Sequence, residues 1–301
     1  MSPAAPMTRT ARRSPRIGKA LTGAAFALAL VGAGAAPAVA GTAGGDAGTR
    51  ARPNDAPVTF AGTVALSNCS GSVVRTPQSQ PDDPALVLSN GHCIESGFPK
   101  AGQVIVDQPS TRTFKLLDED AGVLGTLQAD QISYATMTDT DISLYRTTTT
   151  YAEIESKYHV RPLLLDPRHP RKNTEITVTS GYWKKQYKCS VDGFVDQLKE
   201  YWWTWKDSVR YTPACQTIGG TSGSPVIDDH TGRVIAVNNT GNEDGEQCTL
   251  NNPCEVDRKG RITVRQGTHY AQETYGIVPC VVDGSKLDLG RKGCELPEPQ
   301  A

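Results

Sequence analysis

Val58-Thr59-Phe60-Ala61-Gly62-Thr63-Val64-Ala65-Leu66 sets Val58, Phe60, Val64 and Leu66 against Thr59, Ala61, Thr63 and Ala65. A period of two is the mark of a half-buried β-strand. Similar short runs recur at 104–106, 142–145, 176–179, 202–205, 226–227, 233–238 and 261–264, cut off by Gly, Pro, Asn and Asp. Only Tyr151–Tyr158 reads as helix. Many short strands with frequent turns predict an all-β chain, an antiparallel sandwich or barrel, and the pattern alone does not choose between the two.

The 301 residues suffice for one large domain or two small ones, and 38% hydrophobic with 21% charged residues excludes collagen, coiled coil and disordered tracts. Formal net charge is -1, yet residues 1–40 hold Arg9, Arg12, Arg13, Arg16 and Lys19 with no acidic residue. The remainder is therefore mildly acidic and offers no footprint for nucleic acid or an anionic membrane. After the basic stretch come an apolar segment, Leu21 to Val31, and small residues ending in Ala38-Val39-Ala40. That order predicts a secretory signal peptide over 1–40, in preference to a membrane anchor, because the apolar segment is short and diluted by Gly and Thr. Arg12-Arg13 is a weak hint of a twin-arginine route. Residues 41–57, rich in Gly, Ala, Asp and Arg, read as a flexible leader or propeptide. A secreted, extracellular protein without stable membrane association is expected.

Cys69, Cys93, Cys189, Cys215, Cys248, Cys254, Cys280 and Cys294 all lie beyond residue 40. An even count in an exported chain predicts four disulfides, and pairing neighbours in order (69–93, 189–215, 248–254, 280–294) is the simplest scheme. No C-x-x-C pair occurs and His92 abuts Cys93, so the cysteines give no zinc site, and no metal is expected.

Three segments carry chemistry. Leu86-Val87-Leu88-Ser89-Asn90-Gly91-His92-Cys93 runs an apolar strand into a turn ending in a histidine, a group able to take and return a proton near neutrality. Thr138-Asp139-Thr140-Asp141-Ile142-Ser143-Leu144-Tyr145 opens a strand with an aspartate. Gly219-Gly220-Thr221-Ser222-Gly223-Ser224-Pro225-Val226 presents a serine on a glycine-rich turn before an apolar strand. Each alone has an ordinary structural reading: a core histidine, a cap, a loop. In the order His, Asp, Ser they supply a nucleophile, a base to remove its proton and a group to fix that base's tautomer.

Asn90-Gly91-His92-Cys93, Asp141-Ile142-Ser143-Leu144 and Gly220-Thr221-Ser222-Gly223-Ser224-Pro225 resemble the trypsin-like (chymotrypsin-fold) serine endopeptidases. The match is closest to the secreted bacterial branch that contains the V8-type glutamyl endopeptidases, and it runs over residues 58–275. Cys69, in Asn68-Cys69-Ser70-Gly71-Ser72-Val73-Val74, is similar to the family's partner for the cysteine after the histidine. The resemblance implies two packed six-stranded antiparallel β-barrels with the active site in the cleft between them. Residues 58–155 would form the N-terminal barrel with His92 and Asp141, and 156–301 the C-terminal barrel with Ser222 and the specificity pocket. It further implies His92 as general base, Asp141 as its orienter, Ser222 as nucleophile, and the N–H groups of Gly220 and Ser222 as oxyanion hole. Ser224 and Asp139 stand as rivals to Ser222 and Asp141. Asn238, Asn239 and Gly241 fall in the segment expected to pair with an extended peptide. The implied activity is that of a monomeric endopeptidase, without cofactor, acting on protein or peptide through an acyl-enzyme. The alternatives are a catalytically silent binding module and an esterase on the same residues.

Two departures from the family pattern shape the expectations. Trypsin-type pockets carry an aspartate where this chain has Gln216, and glutamyl-type relatives a histidine where it has Asn238. A polar, uncharged pocket of Gln216, Thr217 and Asn238 is expected, with His269 in Gly267-Thr268-His269-Tyr270 facing away by strand alternation. Thr221 occupies the position of an aspartate that, in animal-type relatives, pairs with a new amino terminus. Chains beginning at Gly41 and near Val58, each with one extra residue, are therefore expected to show equal activity; activity confined to one free terminus would contradict this.

Overall fold

β-Branched and aromatic residues separated by tight turns fold into strands β1 (Thr63–Ala65), β2 (Ser70–Arg75), β3 (Pro84–Ser89), β4 (Val104–Pro109), β5 (Thr113–Leu117), β6 (Val123–Thr136) and β7 (Ile142–Thr150). After helix α1 (Tyr151–Tyr158) follow β8 (Leu163–Leu164), β9 (Glu175–Ser180), β10 (Lys185–Glu200), β11 (Trp203–Tyr211), β12 (Pro225–Asp228), β13 (Val234–Gly241), β14 (Cys254–Val256), β15 (Ile262–Val264) and β16 (His269–Glu273). The structure, a computed structural model, describes residues 57–300. The expected signal peptide, and the leader except its last residue, lie outside the described residues.

Antiparallel pairing runs β1-β5-β6-β7-β3-β2 and returns from β2 to β1. A second circuit runs β9-β10-β11-β16-β13-β12 and returns to β9. Each closed circuit is a six-stranded barrel, and closure removes the free sheet edges that invite aggregation. β4 attaches to β6, and β14 to β10 with β15 beyond it. β8, past residue 155, pairs parallel with β2 and so still belongs to the first sheet.

Strand alternation joins the two barrels. Along β2 and β3, Val73, Ala85 and Val87 point into the first barrel's interior with Phe114, Leu116 and Tyr145. Their neighbours Val74, Leu86 and Leu88 point outward, onto Ile227, Val234 and Val237 of the second barrel. Both faces of β3 are thus buried, which accounts for its unbroken apolar run. Ile176, Val178, Val191, Val209 and Val226 fill the second barrel. α1 begins as the sequence indicates, with Thr150 and Glu153 forming a reciprocal capping box.

The cysteines pair as neighbours: Cys69–Cys93, Cys189–Cys215, Cys248–Cys254 and Cys280–Cys294. Four disulfides fit an extracellular or periplasmic protein. Among the described residues no helix is long and apolar enough to cross a membrane.

The strand expected over 58–66 is shorter than its pattern. Residues 60–63 form a turn closed by Thr63 N–H donating to Phe60 O at 2.9 Å, so pairing starts at Thr63.

Leu88 is fully buried between the barrels. Leu88→Ala is expected to cost about 2–5 kcal/mol of stability, through lost burial and the cavity left behind. The change in urea midpoint at constant m-value measures it.

Candidate active site

His92 sits on a short 3-10 turn, Gly91–Cys93, just beyond the end of β3. Two links hold that turn. Cys93 is tied by disulfide to Cys69, and Asn90 donates from Nδ2 to Asp141 O at 2.7 Å while its own carbonyl accepts from Ser143 Oγ at 2.8 Å. Asp141, fully buried ahead of β7, takes His92 N–H on Oδ1 at 3.0 Å and faces His92 Nδ1 with Oδ2 at 2.7 Å. A buried carboxylate needs such donors. With Nδ1–H donating to it, the neutral imidazole turns the Nε2 lone pair to the cleft.

Burial lowers the pKa of His92, but the charge and hydrogen bond of Asp141, with a smaller push from Glu200, outweigh it, so the group titrates above its ordinary value of 6.5. Phe98 stands edge-on to the imidazole, ring centroids 5.8 Å apart, and Trp203 continues the aromatic wall at 5.8 Å from Phe98.

Ser222 comes from the turn before β12. Thr221 Oγ donates to Ile218 O at 2.5 Å and accepts from Asn238 Nδ2 at 3.1 Å, so a threonine ahead of the serine is held by the barrel's own groups. Gly223 follows with φ +80°, and a Cβ there would lie 2.1 Å from Ser70 O of the first barrel. Only glycine permits that approach. Ser70 fastens the turn across the cleft: its N–H donates to Ser222 O at 2.8 Å and its Oγ to Gly220 O at 3.3 Å. Ser222 Oγ donates to Asn239 O at 3.2 Å, and among the described residues no hydrogen bond joins it to His92. Both side chains line one cleft of about 220 Å³ with Asp141, Thr217, Asn239, Gly241 and His269. A change of the Ser222 χ1 rotamer re-aims its hydroxyl within that cleft. The N–H groups of Gly220 and Ser222 have no acceptor among the described residues, as donors kept for a ligand oxygen must be.

The two rivals are otherwise engaged. Ser224 is fully buried, donating to Thr221 O at 2.6 Å. Asp139 pairs with Lys206 Nζ at 2.7 Å on the surface.

The pocket differs from the expectation in two residues. Gln216 turns outward, its amide donating to Pro213 O at 2.8 Å and Gly267 O at 3.4 Å, and it does not line the cleft. His269, expected to face away, lines the cleft with Nδ1 3.0 Å from Thr217 Oγ1. The reason is local. His269 is paired with Gly241, where a Cβ would come within 2.3 Å of Nδ1, so the missing side chain makes room for the imidazole. A register shift between Asn238 and Thr240 breaks simple alternation at the same place. Burial lowers the His269 pKa. Asn238 lines the cleft but is largely committed: it donates to Thr221 and accepts from Tyr211 Oη at 3.2 Å. Asn239 contributes the carbonyl that holds Ser222 Oγ.

Glu200, at the end of β10, had no sequence signal, closing a polar run. It lines the cleft at 5% exposure, accepting from Thr240 Oγ1 at 2.6 Å and Asn251 N–H at 3.0 Å. Burial pushes its pKa up; these two donors and His92 oppose the shift.

Asp141→Asn is expected to lower the His92 pKa, by removing the facing negative charge. Histidine proton chemical shifts followed through a pH titration read that directly; an unmoved midpoint would show that the pairing is absent in solution.

A family model described as the trypsin-like peptidase domain matches residues 69–237. Among solved structures, the active form of the Rv3671c protease from M. tuberculosis is 14% identical, covering 81% of this chain and 85% of that one at a TM-score of 0.46. The apo MamO protease domain from Magnetospirillum magneticum is 12% identical, with 73% and 95% covered and a TM-score of 0.44. The thermostable serine protease AL20 from an extremophilic microorganism is 13% identical, with 73% and 93% covered and a TM-score of 0.42. No curated protein matches. The family model spans more than half of the chain and takes in His92, Asp141 and Ser222 together with the strands that carry them, and on that match the chain belongs to the trypsin-like peptidase domain family.

Proposed function

We propose that the protein is a secreted serine endopeptidase that cleaves peptide bonds through an acyl-enzyme, with His92, Asp141 and Ser222 as its triad. The observation that carries this reading is the buried Asp141 carboxylate 2.7 Å from His92 Nδ1, which leaves Nε2 free to act as base in the cleft lined by Ser222. His92 takes the proton of Ser222 Oγ as the oxygen attacks the scissile carbonyl. Asp141 stabilises the imidazolium so formed. The N–H groups of Gly220 and Ser222 receive the oxyanion, and His92 returns the proton to the leaving amine. Water then repeats the sequence on the acyl-enzyme. A silent binding module has no physical need of a buried aspartate, an oriented histidine and two unpaired N–H donors around one serine.

For the residue preceding the scissile bond we propose a polar, uncharged preference, resting on Thr217, Asn238 and His269 in place of the Gln216 set. Burial favours neutral His269 in the free pocket. The same imidazole supports a second reading, membership of the V8-type glutamyl branch, if the negative charge of a substrate carboxylate favours a solvent proton on His269. A peptide-library profile separates the two: uncharged polar residues at the scissile position support the first, Glu the second, and Arg or Lys contradicts both.

An organophosphonate is expected to label one serine per chain, Ser222, and labelling is expected to vanish in His92→Ala. Labelling that persists in His92→Ala would refute the triad. The acid limb of kcat/KM is expected above pH 6.5, because only neutral His92 accepts the serine proton and its pKa is raised. Glu200→Gln, which removes a negative charge that favours the imidazolium, is expected to move that limb to lower pH. Asp141→Asn is expected to lower kcat by about four orders of magnitude, the cost of the wrong imidazole tautomer.

A further inference from the structure

Three side chains that the cleft does not use meet on the second barrel. His169 lies in the connector between β8 and β9, Asp207 in β11, and Glu273 at the end of β16. One ligand atom from each lies within 4.8 Å of the other two. His169 Nε2 is 3.1 Å from Asp207 Oδ2 and 3.2 Å from Glu273 Oε1.

The other ring nitrogen fixes the chemistry. His169 Nδ1 is 2.7 Å from Pro170 O. A carbonyl oxygen only accepts, so Nδ1 carries the proton, and the Nε2 of a neutral imidazole presents a lone pair to two carboxylates. Metal-binding histidines are oriented in this way, with the second nitrogen donating to a carbonyl. Phe194 and Tyr275 hold the ring from the sides, with centroids 4.5 and 5.3 Å away.

Glu273 is the independent observation. Its side chain is 6% exposed, and neither carboxylate oxygen has a hydrogen-bond partner among the described residues. Lys206, next to Asp207 in sequence, gives its ammonium to Asp139. An ionised buried carboxylate requires a counter-charge. A proton on His169 Nε2 serves Asp207, at hydrogen-bonding geometry, and leaves Glu273 unserved.

We propose that His169, Asp207 and Glu273 bind one divalent metal ion, with zinc the ion their chemistry best suits. One imidazole and two carboxylates are borderline N/O donors of the kind zinc takes, whereas calcium and magnesium prefer all-oxygen shells of six or more ligands. Ligands about 2.0–2.1 Å from a tetrahedral zinc lie roughly 3.3 Å from one another, close to the two separations seen at Nε2. Asp207 and His169 are 46% and 41% exposed, so water has access to the fourth position. The ion would tie the inter-barrel connector to β11 and β16, the strands that carry Trp205 and His269 to the cleft. It is distinct from the catalytic groups, and neither reading depends on the other. The three ligands are far apart in sequence and show no motif spacing, so an expectation of no metal drawn from the cysteines does not reach them.

The mature protein, stripped with EDTA and desalted, is titrated with zinc chloride by calorimetry and against a zinc-binding chromophore. One ion per chain is expected, with a higher melting temperature that EDTA reverses. Glu273→Gln and His169→Ala are each expected to weaken binding by more than the roughly 10–100-fold that loss of a supporting contact costs. His92→Ala is expected to bind zinc unchanged. If both ligand variants retain full uptake, the ion sits elsewhere and the site is refuted. If the wild type takes up no stoichiometric zinc at micromolar concentration and its melting is indifferent to EDTA, the proposal fails and a proton shared between Glu273 and Asp207 accounts for the cluster. Should a variant not fold, the wild-type titration and EDTA response still decide.

Discussion

A carboxylate with no access to water has to be met by donors, and Asp141 is fully buried. Its oxygens are served by two N–H groups of one residue, His92 N and Nδ1, so the backbone and the ring of His92 are fixed together. Much of the local construction serves that pairing. The disulfide from Cys93 to Cys69 and the bonds of Asn90 to Asp141 and Ser143 hold the turn in place. Removing the charge would release the orientation and the proton affinity of the imidazole at once.

The second half of the site is held by backbone contact instead of charge. Ser70 bonds to the carbonyl of Ser222 and, through Oγ, to Gly220, while Ser89 Oγ closes on Ser70 O at 2.8 Å. One residue of β2 thus sets the serine turn of the opposite barrel against the histidine strand of its own. The apolar seam of Leu86 and Leu88 on Ile227, Val234 and Val237 keeps the two barrels from sliding, so bonds across the cleft hold their register. Positioning across the cleft is therefore a property of packing and hydrogen bonds, whereas proton affinity is set by burial, which lowers it, against Asp141 and Glu200, which raise it.

Legibility in the sequence followed the physics of each element. Strands buried on one or both faces, such as β3, β9, β12 and β13, announce themselves through apolar runs, and the bounds of α1 are those read from the sequence. The two longest strands did not. β6 and β10 carry polar residues over much of their length, because part of each lies near solvent and their buried residues, such as Leu127, Ile132, Val191 and Leu198, are spaced among polar ones. The pocket misled for a related reason: alternation predicts which way a residue points only in a regular ladder, and the register shift near Asn238 removes that regularity beside His269. Glu200 and Phe98 had no signal at all, since each reaches the cleft from the end of a strand or loop whose path the sequence does not encode locally.

The sequence by itself determined the all-β class, the expectation of four disulfides from eight cysteines and the three chemistry-bearing segments, because each depends on residue counts, on residues close together in the chain or on their order. Tertiary structure alone decided which cysteine pairs with which, that Gln216 leaves the pocket while His269 enters it, and that His169, Asp207 and Glu273 share one spot. Those outcomes depend on distances between side chains brought together by barrel closure and packing, and no local pattern carries such distances.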